Sequence, residues 1–127
     1  MYPELLEGAY DLHVHTGPDV MSRKLDDLEM AERIRKVGMK GYGIKSHYFC
    51  TAERAKLVHK VYPDVNLIGA ISLNNSVGGL NPLAVEMAAR DGAKIVWMLH
   101  LTLRTSKSFL EKDPIPNYLF GPNCRWN

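Results

Sequence analysis

Apolar positions recur along this chain in two alternating periods. Over residues 9–15 they alternate with polar ones, Leu12 and Val14 against Asp11, His13 and His15, which is the two-residue period of a strand. Over residues 26–37 the spacing lengthens. Leu28, Ala31 and Ile34, with Met30 and Val37, form one stripe at helical period. Asp26 and Glu29 supply a capping box at its start, and Gly38 is a natural end. Residues 40–47 predict a second strand. Thr51 is expected to cap a second helix over 52–62, which Pro63 ends. Residues 65–73 form a third strand, and 74–80 a loop. Asn81-Pro82, a cap followed by proline at the first helical position, opens a third helix that closes at Asp91-Gly92. Residues 93–100 form a fourth strand.

The order is therefore β-α-β-α-β-α-β. Such alternation implies an α/β fold of parallel strands joined by right-handed crossovers. The tail over 101–127 breaks the pattern. It holds Pro114, Pro116, Gly121 and Pro122 and shows no amphipathic period, so a short helix near 106–111 and otherwise irregular chain are expected. Trp126 is expected to dock on the domain or on a second subunit.

Composition narrows the picture only a little. The 127 residues suffice for one domain with a core, and 46% hydrophobic content argues against disorder. Net charge is +2, and the tail accounts for it: Arg104, Lys107, Lys112 and Arg125 stand there against Glu111 and Asp113. No basic cluster with interleaved aromatics appears, so nucleic acid is not expected as a partner. No apolar run approaches the ~20 residues of a membrane span, and Met1-Tyr2-Pro3-Glu4 does not open like a signal peptide. A cytoplasmic location is expected, with Cys50 and Cys124 as free thiols.

The candidate chemistry gathers at strand ends. In a parallel sheet the functional residues sit beyond the C-terminal ends of the strands. His13 and His15 end the first strand on the face that Asp11 shares. Lys45 and His47 end the second, Ser72 and Asn74 the third, His100 the fourth. Two imidazoles reaching one space suit a divalent metal, zinc first, with manganese and iron as alternatives. His13, His15, His47 and His100 are the candidate ligands. Lys45 in a buried strand needs a partner or a function. The alternatives are a catalytic lysine, an anchor for a substrate anion, a carboxylated bridging lysine, or a salt bridge to Asp11 or Asp19. Asp11 is the second candidate for a catalytic role, and Asp19, Asn74 and Asn81 are candidates for substrate contact. His59, on the second helix, is expected at the solvated surface.

Asp11-Leu12-His13-Val14-His15-Thr16 resembles the H-x-H motif that opens metal-dependent hydrolases of the amidohydrolase and PHP types. Ile44-Lys45-Ser46-His47 resembles the second PHP motif, with Ser46 where that family has aspartate. The glutamate of the third PHP strand has no counterpart in Ile68-Gly69-Ala70-Ile71-Ser72. More closely, the chain is similar to the N-terminal portion of a poorly characterised amidohydrolase-like family. There D-L-H-V-H, K-S-H, G-G-L-N-P and G-A-K-[IV]-V-W-M segments recur, here as Asp11–His15, Lys45–His47, Gly78–Pro82 and Gly92–Met98. The resemblance implies a (β/α) barrel and a bound divalent metal but no known substrate; a small molecule of unknown identity is the expected one.

Four strands and three main helices make half of a TIM-type barrel, which usually needs ~200 residues or more. A truncated or frame-shifted product, a half-barrel completed by a second copy, and a compact domain that has lost the remainder are the three readings of that length. Open sheet edges lead to the expectation of a homo-oligomer. The function expected is metal-dependent hydrolysis through an activated water. The alternative is a non-catalytic metal- or ligand-binding, or merely oligomerising, half-barrel.

Overall fold

The computed structural model describes residues 3–98. His100, Cys124, the tail helix near 106–111 and Trp126 lie outside the described residues. After a short 3-10 turn at Pro3–Leu5 the elements run β1 (Tyr10–Val14), α1 (Asp27–Lys36), β2 (Gly41–Ile44), α2 (Ala52–Val61), β3 (Asn66–Ser72), a second 3-10 turn (Asn75–Val77), α3 (Pro82–Arg90) and β4 (Ile95–Trp97). The strands lie side by side in chain order, all parallel, and the sheet curls into half of a barrel. The alternation of periods in the sequence thus yields the expected α/β architecture, with strands a few residues shorter than predicted.

The helices start where their side chains supply hydrogen-bond acceptors. Asp26 accepts from the Glu29 amide at 2.7 Å while Glu29 accepts from the Asp26 amide at 2.9 Å, a complete capping box. Asn81 accepts from the Ala84 amide and Pro82 follows it. Thr51 corrects the expectation. It stands one residue before α2 but makes no side-chain cap. Its hydroxyl instead donates to the Ile44 carbonyl at 2.6 Å and accepts from the Ala70 amide at 2.9 Å. A fully buried hydroxyl between two strand ends is better satisfied by the backbone groups they leave open than by the turn that follows it.

Two apolar clusters hold the helices to the sheet. The larger joins Ala31 and Ile34 of α1, Tyr42 and Ile44 of β2, Ala55 and Val58 of α2, and Val65, with Val14 and Leu67 at its margin. The smaller joins Ile71 and Leu73 to Ala88 of α3. Gly69 lets α2 come close: a Cβ there would lie 2.5 Å from the Ala52 Cα.

One irregularity matters for the site. Between Asp11 and Val14 of β1 the register advances three residues, against two between Tyr42 and Ile44 of β2. β1 therefore carries one extra residue, a bulge. Gly43 leaves the space for it, since a Cβ there would sit 2.8 Å from the Leu12 carbonyl oxygen.

Candidate metal centre

The bulge decides how β1 presents its polar residues. Asp11 is in register with Tyr42, and its Oδ1 accepts from the His13 amide at 3.0 Å. Simple alternation, which set Asp11 beside both imidazoles, is interrupted between them. His13, within the bulge, and His15, just past it, converge: their Nε2 atoms are 3.2 Å apart and the rings meet edge-on, centroids 5.1 Å apart. His47, from the end of β2, stacks on His15 with centroids 4.7 Å apart and 28° between planes. Trp97 of β4 closes the other side, 5.1 Å from His13, and its ring lies 4.3 Å below the Lys45 Nζ. Three strand ends thus bring three imidazoles, one indole and one ammonium together.

Electrostatics favours neutral imidazole. Burial pushes the His15 pKa below its ordinary value; the Arg23 charge and then those of His13 and Lys45 add to this, against a hydrogen bond involving the Lys45 backbone. A neutral ring is the form that ligates a metal. His15 Nδ1 is buried and meets no hydrogen-bonding partner among the described residues. Burial also lowers the Lys45 pKa.

The two Nε2 atoms fit an ion between them. Ligands at about 2.0–2.1 Å from a tetrahedral zinc stand roughly 3.3 Å apart, close to the 3.2 Å found. The fit stops at two: among the described residues no three His, Cys, Asp or Glu side chains are arranged to hold a metal ion. His47 lies against His15 ring to ring rather than adding its nitrogen to the pair.

The remaining candidates lie around this centre. Asp19 is taken up by Arg23, at 2.5 and 2.8 Å, and accepts from Ser46 at 3.0 Å. Burial by itself would raise the Asp19 carboxyl; the hydrogen bonds from Arg23, the Val20 amide and Ser46, with the Arg23 charge, outweigh it and hold the pKa below the ordinary value. The Asn74 amide donates to the His47 carbonyl at 2.8 Å and so steadies the end of β2. Asn81 caps α3 and donates to the Val77 carbonyl. His59 is exposed, its Nδ1 3.2 Å from the Val65 carbonyl oxygen.

A second polar group, unforeseen in the sequence, anchors the end of β1. Arg54 of α2 forks onto Asp27 of α1, with both contacts at 2.8 Å, and donates to the Thr16 carbonyl at 2.8 Å. The Thr16 hydroxyl donates to Asp27 at 2.5 Å, and the Tyr42 hydroxyl donates to the Asp27 carbonyl at 2.8 Å. This clamp fixes the residue next to His15. The aspartate and the arginine are 27 positions apart, so only the packing of α1 against α2 reveals their pairing. Trp97 was also missed as a site residue, although alternation along the fourth strand does set Ile95 and Trp97 on one face.

Fold and site together define an α/β half-barrel with a histidine pair at its C-terminal strand ends. The model of a family of unknown function (DUF6282) matches residues 8–114, and the chain belongs to that family. No curated protein and no solved structure matches it. Among the described residues no helix is long and apolar enough to cross a membrane.

Proposed function

We propose that this protein is a metal-dependent hydrolase of amidohydrolase-like type acting on a small molecule. The observation that carries the reading is the 3.2 Å separation of the His13 and His15 Nε2 atoms at the end of β1. His13 and His15 would hold the ion, zinc before manganese or iron. His47, stacked on His15, would add a third nitrogen only by turning its ring out of that stack. A divalent ion bound there supplies Lewis acidity, which activates water at neutral pH and polarises the bond under attack. The chain's own residues supply the setting. The Thr16–Asp27–Arg54 clamp orients the end of β1, burial favours the neutral form of His15, and the Trp97 ring stands against His13, which stays open to solvent and to an incoming molecule. The proposal includes a cytoplasmic location and a homo-oligomeric state, both expected from the sequence; cell fractionation and light scattering measure them.

Metal analysis of protein purified without added metal, beside a His13→Ala/His15→Ala double variant, tests the reading. The parent is expected to retain metal that the variant lacks. Equal, near-zero metal in both overturns it. Turnover of an amide, lactone and phosphoester panel then separates an enzyme from a binder. The absence of a three-ligand group among the described residues favours one second reading, a non-catalytic metal-binding half-barrel. It predicts retained metal without turnover of any member of the panel.

A further inference from the structure

Lys45 is 2% exposed, at the strand end beside the histidines. The two carboxylates that the sequence offers it are engaged elsewhere: Asp11 holds the His13 amide, and Asp19 holds Arg23 and Ser46. Among the described residues its ammonium has no ion-pair partner, and its one defined contact is the face of the Trp97 ring, 4.3 Å from Nζ to the centroid. A cation–π contact leaves the ammonium's N–H groups without an acceptor from these residues. The Trp97 Nε1–H, a donor, is buried and has no hydrogen-bond partner among the described residues. Around the indole, then, the described residues offer donors and no acceptor: an ammonium with three N–H groups and an indole with one. The group that completes such a set is an oxyanion, which accepts several hydrogen bonds and brings the opposite charge.

We propose that Lys45, seated on Trp97, anchors a negatively charged oxygen group, a carboxylate or a phosphate, of the molecule that the histidine pair acts on. The indole spans the distance between the two: one side of the ring faces Lys45, and His13 lies 5.1 Å from its centroid. The charged group of the substrate would therefore lie on the far side of one indole from the histidine pair, which favours short anionic molecules over long or neutral ones. The word substrate rests on the hydrolase reading; the oxyanion site itself does not.

The test follows the Trp97 indole N–H signal by NMR in the full-length protein, assigned with Trp97→Phe, during titration with inorganic phosphate and separately with succinate. The signal is expected to move saturably with at least one of them. Lys45→Met is expected to weaken that binding about tenfold, the size of one charge-assisted hydrogen bond, and Lys45→Arg by no more than a few-fold. Whichever anion binds more tightly identifies the charged group. No movement with either anion up to about 10 mM, where even weak specific binding registers, overturns the proposal; so does equal affinity in Lys45→Met. Thermal unfolding of Lys45→Met checks its fold, and if it fails, the parent and Lys45→Arg titrations decide. Metal content is measured on the same samples. Oxyanion binding without metal sinks the hydrolase reading and leaves this site standing, while metal without oxyanion binding does the reverse.

Discussion

Asp27 shows how much a single side chain does near this centre. It is the second residue of the capped turn of α1, buried, and its carboxylate takes Arg54 by both oxygens while also accepting from Thr16. Replacing it with alanine leaves a guanidinium of which only 17% is exposed without its counter-charge. The expected cost is about 3 kcal/mol, read as a lowered urea midpoint, because an unpaired buried charge is worse than none. Asp27→Leu/Arg54→Met is expected to lose less than the sum of the two single changes. Asp19 gives a second, pH-dependent prediction. Its carboxyl is held below its ordinary 3.8 in the fold. The unfolded chain therefore takes up the proton first as pH falls, so the stability contributed is whole above that value and disappears as pH drops through the folded pKa. The melting-temperature gap between the parent and Asp19→Asn is expected to narrow below about pH 4; a gap that widens there contradicts the assignment. At this scale the sequence was a partial guide. The motif spacing singled out His13, His15 and His47 because neighbours along a strand declare themselves. Lys45 with Trp97, and Arg54 with Asp27, meet only through the fold.

Elements were more legible than contacts. The capping box at Asp26, the Asn81-Pro82 start and the order of strands and helices all follow from local chemistry, which neighbouring residues carry. Strand ends were over-extended: residues 40–47 read as strand, yet β2 stops at Ile44, because pairing with β1 and β3 decides where a ladder ends. The bulge in β1 left no local mark except, in hindsight, Gly43 across from it. Gly69 makes the sharper prediction. Alanine there places a methyl against the α2 backbone, and the helix must move outward. A loss of about 1–3 kcal/mol in urea unfolding is expected, the ordinary range for overpacking; an unchanged midpoint would mean that α2 has room to shift without cost.

Among the described residues the sheet presents two edges. There β1 pairs only with β2, and β4 only with β3, among the described strands. Leu12 and Val96, on these edge strands, are exposed, as is Met98 just past β4. A two-fold axis along the strands would set β4 of one copy beside β1 of another with all strands still parallel, closing the barrel. Light scattering is expected to give at least twice the 14.3 kDa chain mass, and Val96→Lys to lower it; a monomer at all concentrations counts against closure by a second copy. The half-barrel itself was legible from the repeated unit. What covers its inner face was not, since no periodicity encodes the far side of a sheet.

The division of the core into two clusters has a consequence in time. The larger one ties β2 and both first helices together, with Val14 of β1 at its margin, while α3 packs beneath β3 through the small one. Backbone amides of β2 and of Lys45, which donates to Val14, are expected to exchange with deuterium only on global opening, and those of β4 in faster, smaller events. His13 and His15 flank Val14, which the slow part holds, and Trp97 belongs to the fast one. The indole would then come and go over a fixed pair of imidazoles, at a rate set by the weakest packing in the domain.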